Sequence, residues 1–214
     1  MRFKRGKKLI LKDKRSIFID KTVIIGDGVT IYENNRIEGN TVIGNGVTIL
    51  PGCYIKDTII RDNAIINASQ TESSTVGEAC QVGPFARLRP NSNLGKDVRV
   101  GNFVEIKNAN IGDGTKVSHL AYVGDADVGK DCNIGCGVIF VNYNGRKKQR
   151  SIVEDRCFIG SNCNVIAPVH IEEGSYVCAG TTVNLDVKAD SFVIGRVRQE
   201  VKENRAHRYL KEKK

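Results

Sequence analysis

The chain has 214 residues, no Trp, 22 Gly, seven Cys and a formal net charge of +9. It contains no run of about 18 apolar residues, which excludes an α-helical membrane span. The charges of LILKDK break any signal-peptide core near the basic N-terminus. The odd cysteine count, without disulfide-like or zinc-like spacing, points to a reducing, cytoplasmic setting.

In chain order, residues 1–16 read as a basic N-terminal segment with eight Lys or Arg against one acid. Residues 196–214 mirror it as a basic C-terminal arm, with eight Lys or Arg against three Glu, so the body between is net negative. Nucleic-acid binding would need the positive charge on a groove with stacking aromatics, and here it sits at the two ends.

From residue 17 to 195 an aliphatic residue recurs every six positions. Ile19, Ile25, Ile31, Ile37, Ile43, Ile49 and Ile55 form the first run, and Val76 to Ile106 the second. Ile111, Val117, Val123, then Val128, Ile134, Phe140 follow, and Val153 to Val183 complete the set. A period of six fits neither an amphipathic helix nor simple strand alternation. It is the hexapeptide repeat of a parallel β-helix, in which three hexads, about 18 residues, make one coil and stacked coils bury a continuous aliphatic column. The general crossover rule would give right-handed turns; resemblance to hexapeptide-repeat proteins as a family implies left-handed ones. The expected fold is therefore all-β, a left-handed parallel β-helix of nine to ten coils.

Two stretches depart from the repeat. Residues 57–75 blur it and read as an irregular coil. VNYNGRKKQRSI (141–152) interrupts it with a polar, basic insertion, an external loop near 142–151. Cys53, Cys80, Cys132, Cys157 and Cys163 each lie four residues after a repeat aliphatic, a slot for a small semi-apolar side chain. Cys136 and Cys178 fall elsewhere in the hexad.

The residues that break the repeat carry the chemistry. Arg89 and Lys107 occupy slots where a small residue belongs, one coil apart. Neighbouring strands stand about 4.8 Å apart, so this register stacks two cations. A phosphate bridging them would offset the repulsion; the alternative is a pair of snorkelling surface side chains. A five-residue step from Ile106 to Ile111 then places His119 over Asn102 and Tyr122 over Glu105. A His near a carboxylate and a cationic pocket suits a general base. Only His119, His170 and His207 exist, so three histidine ligands for a catalytic zinc do not converge in sequence, and no metal is expected.

GPFARLRP (83–90), GNFVEIKN (101–108), KVSHLAYVGDADVG (116–129), NIGCGVIFVNYNGRKK (133–148), FIGSNCNVIAPV (158–169), VCAGTTV (177–183) and IGRVRQ (194–199) together resemble the acetyltransferase half of the bifunctional, GlmU-type enzyme of UDP-N-acetylglucosamine synthesis. The resemblance implies transfer of an acetyl group from acetyl-CoA to glucosamine 1-phosphate, in a homotrimer whose sites lie between subunits. It places the base on His119 and the sugar-phosphate contacts on Arg89, Lys107, Tyr122 and Asn133. It places the acetyl-CoA contacts on Cys136, Asn142, Tyr143, Lys148, Ser161, Ala179 and Arg196. Glu105 is expected to orient His119.

The family's nucleotidyltransferase half has no counterpart in these residues. The expectation is an acetyltransferase without uridyltransferase activity, either standing alone or with a separate partner that supplies the uridylylation. Cys136, Val138 and Asn144 stand where the family usually has Ala, Thr and Asp. An N-acetyltransferase for another, nucleotide-linked amino sugar and a catalytically silent trimeric scaffold remain the alternatives.

Overall fold

The computed structural model describes residues 4–210; residues 1–3 and 211–214, the outer ends of the two basic segments, lie outside the described residues. The described chain winds as a left-handed parallel β-helix with three flat faces. One face is an uninterrupted ladder of 11 parallel strands, from Ile10–Leu11 to Phe192–Val193. The other two are joined by long strands that run around their shared corner, Glu105–Ile111 and Tyr122–Val128. There are thus about eleven coils, more than the nine to ten expected.

The repeat explains the packing directly. Each strand is mostly two or three residues long, because only one side chain per hexad has to point inward. That side chain stacks on its equivalents in the next coils: Ile19 on Ile37, and Ile37 on Ile55. The residue four positions on closes the corner, and Val29, Val47, Cys53 and Cys80 are buried there. Each buried Ile contributes about 1.5–3 kcal/mol, and coil-to-coil hydrogen bonds satisfy the backbone, as from the Thr30 N–H to the Val47 carbonyl at 3.0 Å. The five cysteines in the corner slot are buried free thiols, and Cys178 is buried as well.

Strand pairing begins well before residue 17. Lys4–Arg5 pairs with Ile24–Ile25, and Ile10–Leu11 with Thr30–Ile31, so the basic segment supplies the first coil. Its repeat is hidden because this coil spans 20 residues and keeps its charged side chains outside. At the other end the ladder runs through Phe192–Val193, and residues 194–210 are exposed.

The blurred stretch 57–75 is a regular part of the helix and not an irregular coil. Ile60 takes an aliphatic slot five residues after Ile55, and Thr71 takes one five residues after Ile66. A five-residue step shortens the corner; the small residue that fills it is then Thr58, Ser69 or Ser74, all buried.

Thr71 is the cost of that arrangement. It is fully buried between Ile55 and Leu88, and its hydroxyl has no hydrogen-bond partner. An unsatisfied buried hydroxyl costs about 1–3 kcal/mol. Thr71→Val is therefore expected to raise the thermal unfolding midpoint, by up to a few degrees; differential scanning calorimetry checks it, and a lowered midpoint would contradict the account.

Candidate active site

Two adjacent corners of the prism hold most of the candidate polar side chains. At the corner between the eleven-strand face and the next face, the second residue after each inward aliphatic points out. In successive coils that residue is Asn102, His119, Cys136, Ser161 and Ala179. They form one exposed column, with Asn102 only partly covered. Backbone hydrogen bonds hold its upper members: the Asn162 N–H donates to the Cys136 carbonyl and the Gly180 N–H to the Ser161 carbonyl, both at 2.8 Å. Gly135 and Gly160 leave no room for a side chain beside it; a Cβ at Gly160 would lie 2.4 Å from the Ala179 nitrogen. The Arg196 guanidinium donates to the Ala179 carbonyl at 3.1 Å, bringing the start of the C-terminal arm to the same column. The sequence-expected contacts at Cys136, Ser161, Ala179 and Arg196 are thus brought together, above His119.

His119 is exposed and its Nδ1 lies 3.1 Å from Asn102 Oδ1. With the Asn oxygen facing it, Nδ1 is the donor of that hydrogen bond, and Nε2 is the ring nitrogen it leaves free. The expected His119–Glu105 pairing is not formed within the chain. Glu105 begins the next face, beyond the corner, and accepts instead from the Arg89 guanidinium at 2.8 Å. That ion pair raises the Arg89 pKa above its ordinary value, chiefly through the hydrogen bond Arg89 donates to Glu105. Asn102, one coil below, orients the imidazole.

The second corner begins with the expected stack. Leu88 pairs with Ile106 and Val123 stacks next, so Arg89, Lys107 and Gly124 follow one another outside the core. Tyr122 folds back over Gly124, and a Cβ there would collide with its phenol ring. The same corner is tightened in two successive coils, from Ile106 to Ile111 and from Val123 to Val128. In both, the second residue after the aliphatic takes a left-handed backbone: Asn108 (φ 47°) and Asp125 (φ 49°).

In the next coil this corner expands into the inserted loop. Tyr143 and Lys148 form an antiparallel bridge, and Asn144 Oδ1 accepts the N–H groups of Arg146 and Lys147 at 3.0 and 2.9 Å. Asn144 therefore caps a turn that Asp would cap equally. Val138 is fully buried, so neither of these departures from the family pattern reaches the site. Arg150 pins the loop's end: its guanidinium donates to both Asp127 oxygens and to the carbonyls of Asn108 and Ala126.

The loop returns Lys148 against Lys107, so Lys148, expected among the coenzyme contacts, joins the cation cluster. Lys107 is pulled below the ordinary lysine value, first by the hydrogen-bonding contact with Lys148, then by desolvation and by the charges of Lys148 and Arg89; Asp125 pushes it back up. Asn142 is buried and lies at Tyr122 Oη, 3.3 Å away, and not on the column of His119 and Cys136. Tyr143 is exposed, its hydroxyl donating to the Gly145 carbonyl at 2.8 Å. Asn133 projects from the eleven-strand face, between Lys116 and Phe158, and one chain does not bring it to the cation cluster. His170 stands on the third face against Glu154, with 2.7 Å between Nε2 and Oε1.

Asn108, Asp125, Gly124 and Arg150 were not singled out from sequence. Counting by the 17-residue step that places His119 over Asn102 would also have stacked Asn108, Asp125 and Asn142.

Repeat and fold define a hexapeptide-repeat β-helix. A family model described as the GMPPB C-terminal domain matches residues 19–102, and one described as the hexapeptide repeat of succinyl-transferase matches residues 151–184. The bifunctional protein GlmU of Clostridioides difficile is 48% identical over 191 residues, covering 89% of this chain and 42% of that protein. GlmU of Exiguobacterium sp. is 46% identical over 191 residues, with the same shares. The chain is similar to part of these GlmU proteins and spans under half of their length. Among solved structures, an Arabidopsis UDP-N-acetylglucosamine acyltransferase shares the fold, with TM-score 0.57 at 18% identity over 88% of this chain and 67% of that one.

Two outcomes follow from the second corner. Gly124→Ala should displace the Tyr122 ring without unfolding the helix, and weaken binding of a phosphate-bearing acceptor about tenfold or more; unchanged binding would show that the ring position is irrelevant. Because Lys107 sits below the ordinary lysine value, it begins to lose its proton at lower pH than a free lysine. An anion on the cluster draws that proton back. Titration calorimetry in mildly alkaline buffers of differing ionisation enthalpy should register net proton uptake on phosphate binding, and Lys107→Met should abolish it.

Proposed function

We propose that the protein is an acetyl-CoA-dependent N-acetyltransferase acting on glucosamine 1-phosphate, on the route to UDP-N-acetylglucosamine. The observation that carries this reading is the single column from Asn102 through His119 to Ala179, adjoining the Arg89, Lys107 and Lys148 cluster.

The cations hold the acceptor's phosphate and so fix its amine near the corner. Acetyl-CoA lies along the column, its thioester beside Cys136, and Arg196 meets its phosphates. The amine attacks the thioester carbonyl, a C–N bond forms, and the carbon–sulfur bond breaks to release the coenzyme thiol. The amine's proton passes to Nε2 of His119, the free nitrogen left by the Asn102 contact. The Cys136 N–H meets the developing oxyanion. Glu105 acts on the phosphate side, by steadying Arg89.

Assembly completes the site. Asn133 stands on a different face from the cations, so it meets the acceptor only if a second copy presents it. Phe85, Phe103 and Leu120 form an exposed apolar ladder beside His119, with the two Phe rings stacked at 5.6 Å. We propose a homotrimer with the ladder covered by a neighbour. The seven free thiols fit a reducing, cytoplasmic compartment.

Thiol release from acetyl-CoA with glucosamine 1-phosphate tests the assignment. The native protein should turn over, and His119→Ala should reduce the rate about a hundredfold or more. No release from folded, assembled protein, with release on a UDP-linked amino sugar, would move the assignment to that acceptor.

A further inference from the structure

A buried carboxylate stands where an anion site should least want one. Asp125 lies beside Lys107, is 8% exposed, and would repel any phosphate seated on the cluster. Its contacts show what an ionised carboxylate does there that a neutral amide does not. Asn108 Nδ2 donates to one of its oxygens and Asn142 Nδ2 to the other, each at 2.5 Å. An ionised carboxylate only accepts. Both amides must therefore turn their NH2 groups inward, and neither can flip without setting oxygen against oxygen.

For Asn142 this has a second effect. Its NH2 also lies 3.3 Å from Tyr122 Oη. With the amide pinned, the phenol oxygen is the acceptor there, and its own proton points away. Tyr122 is held over Gly124, next to Lys107 in the stack.

We propose that Asp125 is a positioning residue that sets the direction of hydrogen bonding at the acceptor-phosphate site. Through the Asn142 amide it makes the Tyr122 hydroxyl a donor towards the incoming anion. The inference rests on the phosphate-binding role given to the cation cluster above, and deepens it.

Simple electrostatics and this relay give opposite signs for Asp125→Asn. Removing a negative charge beside the cluster should tighten phosphate binding. Removing the obligate acceptor lets Asn142 flip and Tyr122 turn its proton inward. A hydrogen bond to a charged group is lost, which weakens binding about tenfold or more. The measurement is affinity for inorganic phosphate, by 31P NMR titration of the assembled protein, for the native form, Asp125→Asn, Tyr122→Phe and the double variant. The relay requires weaker binding in Asp125→Asn and no further loss when it is added to Tyr122→Phe. Tighter binding, or an equal loss in both backgrounds, overturns it, as does a native protein that binds no phosphate. Circular dichroism establishes folding. If Asp125→Asn does not fold, Asn142→Ala breaks the same relay one link on, and must likewise weaken binding only while Tyr122 is present.

In turnover, the relay predicts that Asp125→Asn raises KM for glucosamine 1-phosphate far more than it lowers kcat, which loss of packing alone would not single out. If the native protein ignores glucosamine 1-phosphate but the phosphate series behaves as stated, the acceptor assignment falls and the relay stands.

Discussion

Every side chain of the site stands where it does because successive coils hydrogen-bond to one another at a spacing of about 4.8 Å. That constraint leaves the chain little freedom: once one aliphatic residue is seated, the next coils follow in register, as Ile106 on Leu88 and Val123 on Ile106. A residue's place in its hexad then fixes the column it belongs to. Chemistry on this scaffold is written in columns, and a functional residue is one that a column would not otherwise choose.

The site is made by changing the length of one corner. A regular six-residue corner runs from Leu88 to Leu94, with Ser92 buried inside it. The next two coils shorten it by one residue, which puts Asn108 and Asp125 one above the other in left-handed backbone. The coil after that opens it into a loop, closed by the Tyr143–Lys148 bridge and pinned by Arg150. Tightening gathers the polar ladder, and the expansion above it delivers Lys148 and Asn142 onto that ladder. The two devices share one edge of the prism, so neither disturbs the aliphatic column inside.

Much of this was legible in the residues. The period of six gave the fold, the buried cysteines and the stacking of His119 on Asn102, because inward aliphatics must align whatever lies outside them. The repeat failed to declare itself where its steps changed length. Residues 57–75 hid a regular coil behind five-residue steps and a Thr in an aliphatic slot, and residues 4–16 hid one behind a 20-residue turn. Glu105 shows a different limit. Register puts it near His119, but the corner between them turns its side chain to Arg89.

The sequence by itself determined the β-helix, the columns and the candidate base, since all three depend on periodic burial that a one-dimensional pattern records. Only the tertiary structure decided which outward side chains meet. Lys148 with Lys107, Arg150 with Asp127, and Asp125 between Asn108 and Asn142 are contacts made across coils or by a loop of irregular length. Their partners depend on corner geometry and side-chain direction, which the period of the repeat does not encode.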